Sequence, residues 1–357
     1  MSLASFVSCS FFIITTLTWS SFIFTKFSKL YCSLIFELIS SSFPLIIFIV
    51  FCFYDTGYTV YKPGGIVNMN SRVIGDNIYS SEGSFNMAYV TAMKGRTPIY
   101  LLSKFMPNWE VVKNSDVLLD NETMEDANKR DKLDYEEAIS NAKYVAFSKA
   151  NIDYKILGEH FYAYYITKDN VSDLKVGDEL LSYNNIKFKS IEILSKYIND
   201  LNGADGLLIK YKRNNKEYET YSKIYEDNGK KLIGVSSISI LDLESSHNID
   251  IKNKESESGP SGGLIMALSI YNAITEGDIT KGNKIVGTGT ISRDGTVGEI
   301  GGVNYKLASA VKEGATVFIC PNDNYDEVME EMEKYNYNIK IINVATFDEA
   351  IEKLAEL

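Results

Sequence analysis

The stretch Gly259-Pro260-Ser261-Gly262-Gly263 sets one serine among residues with little or no side chain. Glycines beside a serine let a substrate backbone come close. Free N–H groups at the start of a following helix stabilise a developing oxyanion. A serine hydroxyl is a weak nucleophile, so this chemistry needs a base. The string also satisfies G-x-S-x-G, the elbow of α/β-hydrolases, but that fold requires a histidine later in the chain, and none follows Ser261. His160 and His247 both precede it. His247 stands in the polar run SSHNID and reads as a solvated loop residue, and His160 as a decoration of a β-rich region; a triad with histidine ahead of serine stays open through them. Lysine is the other base: desolvation lowers its pKa towards neutrality. Lys306 lies three residues after Val303 and four before Ala310, on one small, apolar helix face. From spacing alone, a snorkelling surface lysine competes with a buried one.

The elements that must hold these residues alternate between strand and helix from Lys231 onward. Leu232–Leu243 is strand-like, and Gly262–Thr275 has helical spacing through Leu264, Leu268, Tyr271 and Thr275. Lys284–Ile291 and Thr296–Ile300 flank Asp294-Gly295, a hairpin signal. Val303–Glu313 is a helix stopped by Gly314. Ala315–Cys320 and Ile339–Val344 read as buried strands, and Thr346 with Glu349 as a capping box opening the last helix. Upstream, residues 55–150 are a mixed α/β segment. It has a turn signal at Pro63-Gly64-Gly65, a strand over Gly83–Thr91 and an amphipathic helix over Leu133–Phe147. Residues 151–230 are β-rich, with FYAYYI, LKVGDELLSYNN and LLIKYKR around a helix near Ile191–Leu201.

The order ESGPSGGLIMAL, VGTGTISRDGTVGEIGGV, NYKLASAVKEGA and VFICP resembles the proteolytic domain of the Lon-type Ser–Lys peptidases over about Ile238–Leu357. The resemblance implies an α/β (α+β) proteolytic domain over 231–357, with Ser261 as nucleophile and Lys306 as base. It also implies support from Thr288, Gly259 and Gly262. Gly262 stands where the family usually has Ala, and Ser258 where it has an acidic residue or Gly. LKVGDELLSYNN resembles the second half of a PDZ domain, although no carboxylate-binding loop is recognisable before FYAYYI. Together with a Tyr-x-Pro-Gly-Gly stretch from Tyr61 and an apolar N-terminus, the layout resembles the membrane-anchored, PDZ-containing Lon-type peptidases of Gram-positive bacteria. That resemblance implies a serine endopeptidase acting on proteins or peptides outside the cytoplasm. A membrane-tethered PDZ-type adaptor with an inactive peptidase fold is the alternative. Lon-type domains often form rings, so a homo-oligomer is compatible.

The remaining features bound the function. The chain has 357 residues and a net charge of -11, which disfavours nucleic acid as a partner. It has no G-x-x-x-x-G-K-[ST] phosphate loop, so no ATP-driven module is expected. Cys9, Cys32, Cys52 and Cys320 form no metal or disulfide pattern. No cofactor or metal is expected, with carboxylate-only metal binding left open. Residues 1–54 read as a membrane anchor. Met1–Thr25 carries no charge, and Leu30–Tyr54 is apolar apart from Glu37, long enough for a span. One or two transmembrane helices fit this pattern. Lys26 and Lys29 precede the second stretch and place Asp55 onward outside the cytoplasmic membrane.

Overall fold

A computed structural model describes residues 42–201, 203 and 205–357. Residues 42–53 form a helix, α1. After it come β1 (Asp55–Asn68), β2 (Val73–Ile74), β3 (Ser84–Arg96), α2 (Thr97–Ser103), β4 (Glu110–Lys113), α3 (Asn114–Val117) and α4 (Met124–Ala150). Among the described residues no helix is long and apolar enough to cross a membrane. The membrane spans expected within residues 1–54 fall largely on residues 1–41, outside the described residues. The chain divides into two compact units, one holding residues 42–58 and 94–105, the other 59–93 and 106–357.

The Pro63-Gly64-Gly65 turn expected from sequence does not form; β1 runs straight through it. The reason lies on the neighbouring strand: a Cβ at Gly64 would stand 2.5 Å from the Tyr89 ring. Glycine here permits a tyrosine to lie against the backbone rather than a chain reversal. Helix α4 extends well beyond the expected stretch at both ends. Thr123 caps it by accepting from the Asp126 N–H, and Asp126 reaches back to the Thr123 N–H, a complete capping box.

The β-rich middle contains β5 (Tyr154–Ile166), β6 (Glu179–Tyr183), β7 (Ile186–Lys187), α5 (Ile191–Asp200), β8 (Gly206–Arg213), β9 (Lys216–Lys223), β10 (Tyr225–Asp227), β11 (Lys230–Leu232) and β12 (Val235–Ser245). Its sheet runs β12-β5-β6-β8-β9, with β7 on β6. Phe161, Leu180, Tyr183, Leu194, Ile198, Leu207, Ile209 and Ile233 fill a core between sheet and α5. β12 pairs with β5 from Val235 to Ser245, so a division at residue 230 would separate a pair of hydrogen-bonded strands.

The C-terminal region adds β13 (Asp250–Ile251), α6 (Gly263–Ile274), β14 (Lys284–Gly287), α7 (Val303–Lys312), β15 (Val317–Pro321), α8 (Tyr325–Tyr335), β16 (Lys340–Val344) and α9 (Phe347–Ala355). Its sheet has the order β16-β15-β14-β3-β1-β4, with β14 parallel to β15 and β3, and β15 parallel to β16. Alternation along the strands feeds two cores. Ile285, Val317 and Ile319 pack with α4, α6 and α9, whereas Val286, Phe318 and Cys320 pack with α7 and α8. Residues 59–93 and 106–150 therefore share their core with the C-terminal segment through Met69, Phe85, Met87 and the inner face of α4. The hairpin expected around Asp294-Gly295 is reduced to a turn. Ser292 N–H donates to the Thr296 carbonyl, while Thr296 bridges to Thr346. Thr346 caps α9, but Glu349 reaches the Ala345 N–H instead of closing a box on Thr346.

Candidate active site

Ser261 sits in the turn that enters α6, and Thr288 directly follows β14. Lys306 lies in the first turn and a half of α7, on the opposite face of the sheet from α6. Parallel β14 ends at Gly287, where a Cβ would meet Ile265 at 2.6 Å and the Ile319 carbonyl at 2.8 Å. That close approach brings α6 and β15 together around Thr288. The site thus forms at the carboxyl end of a parallel strand, where open α/β sheets leave a crevice.

Thr288 is fully buried and bridges the two candidate catalytic elements. Its Oγ1 donates to the Ser261 carbonyl at 2.9 Å and accepts from Lys306 Nζ at 3.2 Å. The Gly289 N–H donates to the same Ser261 carbonyl at 2.8 Å. Ser261 Oγ and Lys306 Nζ share no hydrogen bond among the described residues. Lys306 is only 3 % exposed, and no carboxylate pairs with it among the described residues. Burial without a counter-ion disfavours the ammonium form, and its pKa falls to about 8.

The loop that delivers Ser261 is tied down on its approach. Glu257 pairs with Arg72 at 2.9 Å, accepts from the Tyr135 hydroxyl at 3.1 Å and from the Lys254 N–H at 2.9 Å. The Gly259 N–H donates to the Asp131 carbonyl of α4 at 2.7 Å. Gly259 has φ +85°, a conformation that side-chain-bearing residues rarely adopt, and nothing lies within 4 Å of a Cβ there. At Gly262 the situation is different: a Cβ would stand 2.1 Å from Met87 Sδ, so the methionine of β3 fills the space an alanine methyl would take. The N–H groups of Ser261 and Gly262 have no partner within the protein among the described residues, and they open α6 as free donors.

A cleft of about 380 Å³ borders Pro260, walled by Asp134 and Glu137 of α4 and by Thr290–Arg293. Burial pushes both carboxyls upward. Arg293 locks this wall, bonding Glu159 at 2.7 Å and the Ser239 carbonyl at 2.8 Å. Sequence reasoning missed α4 and Arg293 here. In the sequence Arg293 is only the residue before the Asp294-Gly295 turn, and nothing local links α4 to Ser261.

The histidines lie elsewhere. His160 Nδ1 meets Glu179 at 2.6 Å on the β-rich sheet, and His247 Nδ1 meets its neighbour Ser246 at 3.1 Å. Neither hydrogen-bonds Ser261 among the described residues. A second cavity, about 650 Å³, runs between α5 and residues 231–236, with Ile191, Leu194 and Ile198 facing Ile233, Gly234 and Val235. No carboxylate-binding loop is recognisable in the sequence ahead of β5. The groove is instead bounded by Leu232-Ile233-Gly234-Val235, later in the chain, where Gly234 has φ +70°.

Residues 251–356 match the family model of the Lon protease (S16) C-terminal proteolytic domain. The matched segment includes Ser261, Thr288 and Lys306. It is 36 % identical over 96 residues to Lon protease 2 of Bacillus subtilis, covering 27 % of this chain and 16 % of that protein. Over 95 residues it is 33 % identical to the Lon protease of Desulfatibacillum aliphaticivorans, covering 27 % and 11 %. Over 94 residues it is 33 % identical to the archaeal Lon protease of Halobacterium salinarum, covering 26 % and 13 %. The chain thus spans less than a fifth of the length of these relatives. Among solved structures, the PDZ domain of the SdrC-like protein from Listeria monocytogenes is 25 % identical, with a TM-score of 0.21, covering 24 % of this chain and 93 % of that one.

Proposed function

We propose that this chain is a serine endopeptidase in which Ser261 attacks the scissile carbonyl and Lys306 takes its proton. The observation that carries this reading is Lys306 itself. It is a buried lysine without a counter-ion, linked through one threonine to the turn that bears the serine. A structural lysine gains nothing from such a place, because an unpaired buried ammonium is costly. A base near neutral pH requires it. Catalytic hydrogen bonds are often long without substrate, so the lack of a direct Ser261–Lys306 bond is consistent with this pairing. The free N–H groups of Ser261 and Gly262 receive the oxyanion of the tetrahedral intermediate.

The wider proposal keeps the reaction independent of ATP, as the sequence holds no phosphate loop. It places the catalytic region outside a membrane that residues 1–54 enter. Substrates are then loops, tails or locally open segments of proteins, which unfold at low cost. The groove along α5 presents an edge and apolar pockets suited to an extended peptide. Holding a substrate there raises the effective concentration of its scissile segment.

The test is labelling of the full chain by a fluorophosphonate probe, with hydrolysis of an unstructured protein followed in parallel. Wild-type and His247→Ala protein should label and cleave without ATP, and Ser261→Ala should do neither. Cleavage by Ser261→Ala at the wild-type rate refutes the assignment.

A further inference from the structure

We propose that α2 is a second membrane element, lying in the headgroup layer of an anionic bilayer beside the point where α1 leaves it. The proposal rests on the reading that the apolar segment ending at Tyr54 enters a bilayer. Four observations within the unit formed by residues 42–58 and 94–105 carry it.

First, α1 is apolar and exposed around its whole circumference, from Phe43 to Phe53. A helix apolar on every side is at home in lipid rather than against one protein face. Second, α2 starts where α1 stops: the Thr97 N–H donates to the Tyr54 carbonyl at 3.1 Å, and the Arg96 guanidinium lies over the Phe53 ring at 5.1 Å. Whatever solvent surrounds the end of α1 therefore also surrounds α2. Third, α2 and the residues after it turn Leu101, Leu102 and Phe105 outward, and Phe105 is 83 % exposed. An exposed apolar patch continuous with an apolar helix marks a membrane or partner surface.

Fourth, the charge is local and of the right sign. This unit's described residues carry Lys94, Arg96 and Lys104 against Asp55, three cations less one anion, giving +2 in a chain of net charge -11. Tyr58 packs on Tyr100 with ring centroids 5.2 Å apart, and Lys104 Nζ lies 4.8 Å from the Tyr100 ring centre. Aromatic rings with cations beside an apolar surface suit the interface between acyl chains and headgroups. Leu101, Leu102 and Phe105 enter the acyl boundary, while Arg96 and Lys104 meet lipid phosphates. A seven-residue helix is too short to hold itself in water, so the interface also keeps it folded. Two attachment points, one spanning and one lying flat, restrict how the anchor turns at the surface.

The experiment uses the full chain with Trp19→Phe and Trp109→Phe, so that Phe105→Trp supplies the one tryptophan. The protein is reconstituted into vesicles of phosphatidylcholine and phosphatidylglycerol, with bromine placed near the headgroup end or the methyl end of the acyl chains. Flotation with the vesicles reports the span. Emission quenched at least about twofold by bromine near the headgroup end, and less by bromine near the methyl end, supports the interfacial helix. Adding Leu101→Ser, Leu102→Ser and Arg96→Gln should reduce that quenching while flotation persists. Flotation without quenching overturns the proposal and leaves the span standing. Flotation with no quenching but with cross-linking of residue 105 between two copies assigns the patch to self-association and also overturns it. Failure to float removes the span, and this proposal with it.

Discussion

On the proposed Ser261–Lys306 mechanism, titrating peptide hydrolysis from about pH 6 to about pH 10 reads the protonation of Lys306, because there only its neutral amine accepts the serine proton. Burial lowers this lysine from 10.5 to about 8. At pH 7 roughly one molecule in ten then holds a neutral amine, against about one in three thousand for an unperturbed lysine. The kcat/KM for a fluorogenic peptide should rise about fiftyfold between pH 6 and 8 and only about twofold above that. The same burial makes a stability statement of known sign. Between about pH 8 and pH 10.5 the unfolded chain holds a proton that the folded chain has released, so stability rises with pH across that window. The rise is roughly 3 kcal/mol, from about 1.4 kcal/mol for each tenfold change in proton affinity. Lys306→Met should abolish activity, stabilise the protein at neutral pH and remove this rise in denaturant titrations. Lys306→Arg should be as inactive as Lys306→Met, since arginine does not release its proton. A flat rate profile through pH 8, an inflection near pH 6.5 or an active Lys306→Arg protein would refute the reasoning.

Thr288→Val removes both the acceptor for Lys306 and the donor to the Ser261 carbonyl; kcat should fall about 10- to 100-fold with KM little changed, and Thr288→Ser should restore most of it. Gly262→Ala should cost about 1–3 kcal/mol in urea unfolding because its methyl meets Met87, and Met87→Ala in the same chain should recover some of that loss; additive losses would show that the two side chains do not compete for one space. Asp278 accepts hydrogen bonds from Ser81, Asn272, Thr280 and the Glu82 N–H; burial alone would raise its carboxyl, and the bonds from Thr280, Glu82 and Ser81 outweigh that and hold it well below the usual range. Its contribution is present above the unfolded pKa and lost as pH falls through the folded one, so wild-type protein should lose stability in acid more steeply than Asp278→Ala.

Much of the C-terminal fold was legible in the residues. The buried strand Val317–Pro321 is a continuous apolar run, Lys340–Val344 carries Ile341, Ile342 and Val344, α6 and α7 announce themselves by helical spacing, and α9 by its Thr346 cap. The chemistry of Ser261 was also local, since glycines and the start of a helix sit next to it in the chain. Lys306 was ambiguous by spacing, because a helix face says nothing of what covers it. Only the packing of α7 on the β14–β15 face decides that this amine is dry. The partnership of α4 with the serine loop was equally invisible. It depends on an Asp131 carbonyl, which no side chain encodes, meeting the Gly259 N–H across 128 residues of chain. Pro63-Gly64-Gly65 misled for a related reason: glycine allows a turn and a close approach alike, and the Tyr89 ring on the neighbouring strand selects between them. Local physics thus named the serine, the helices and the strands. The pKa of the proposed base and the walls of the cleft came from distant regions of the chain, because desolvation and shape belong to whatever the fold brings alongside.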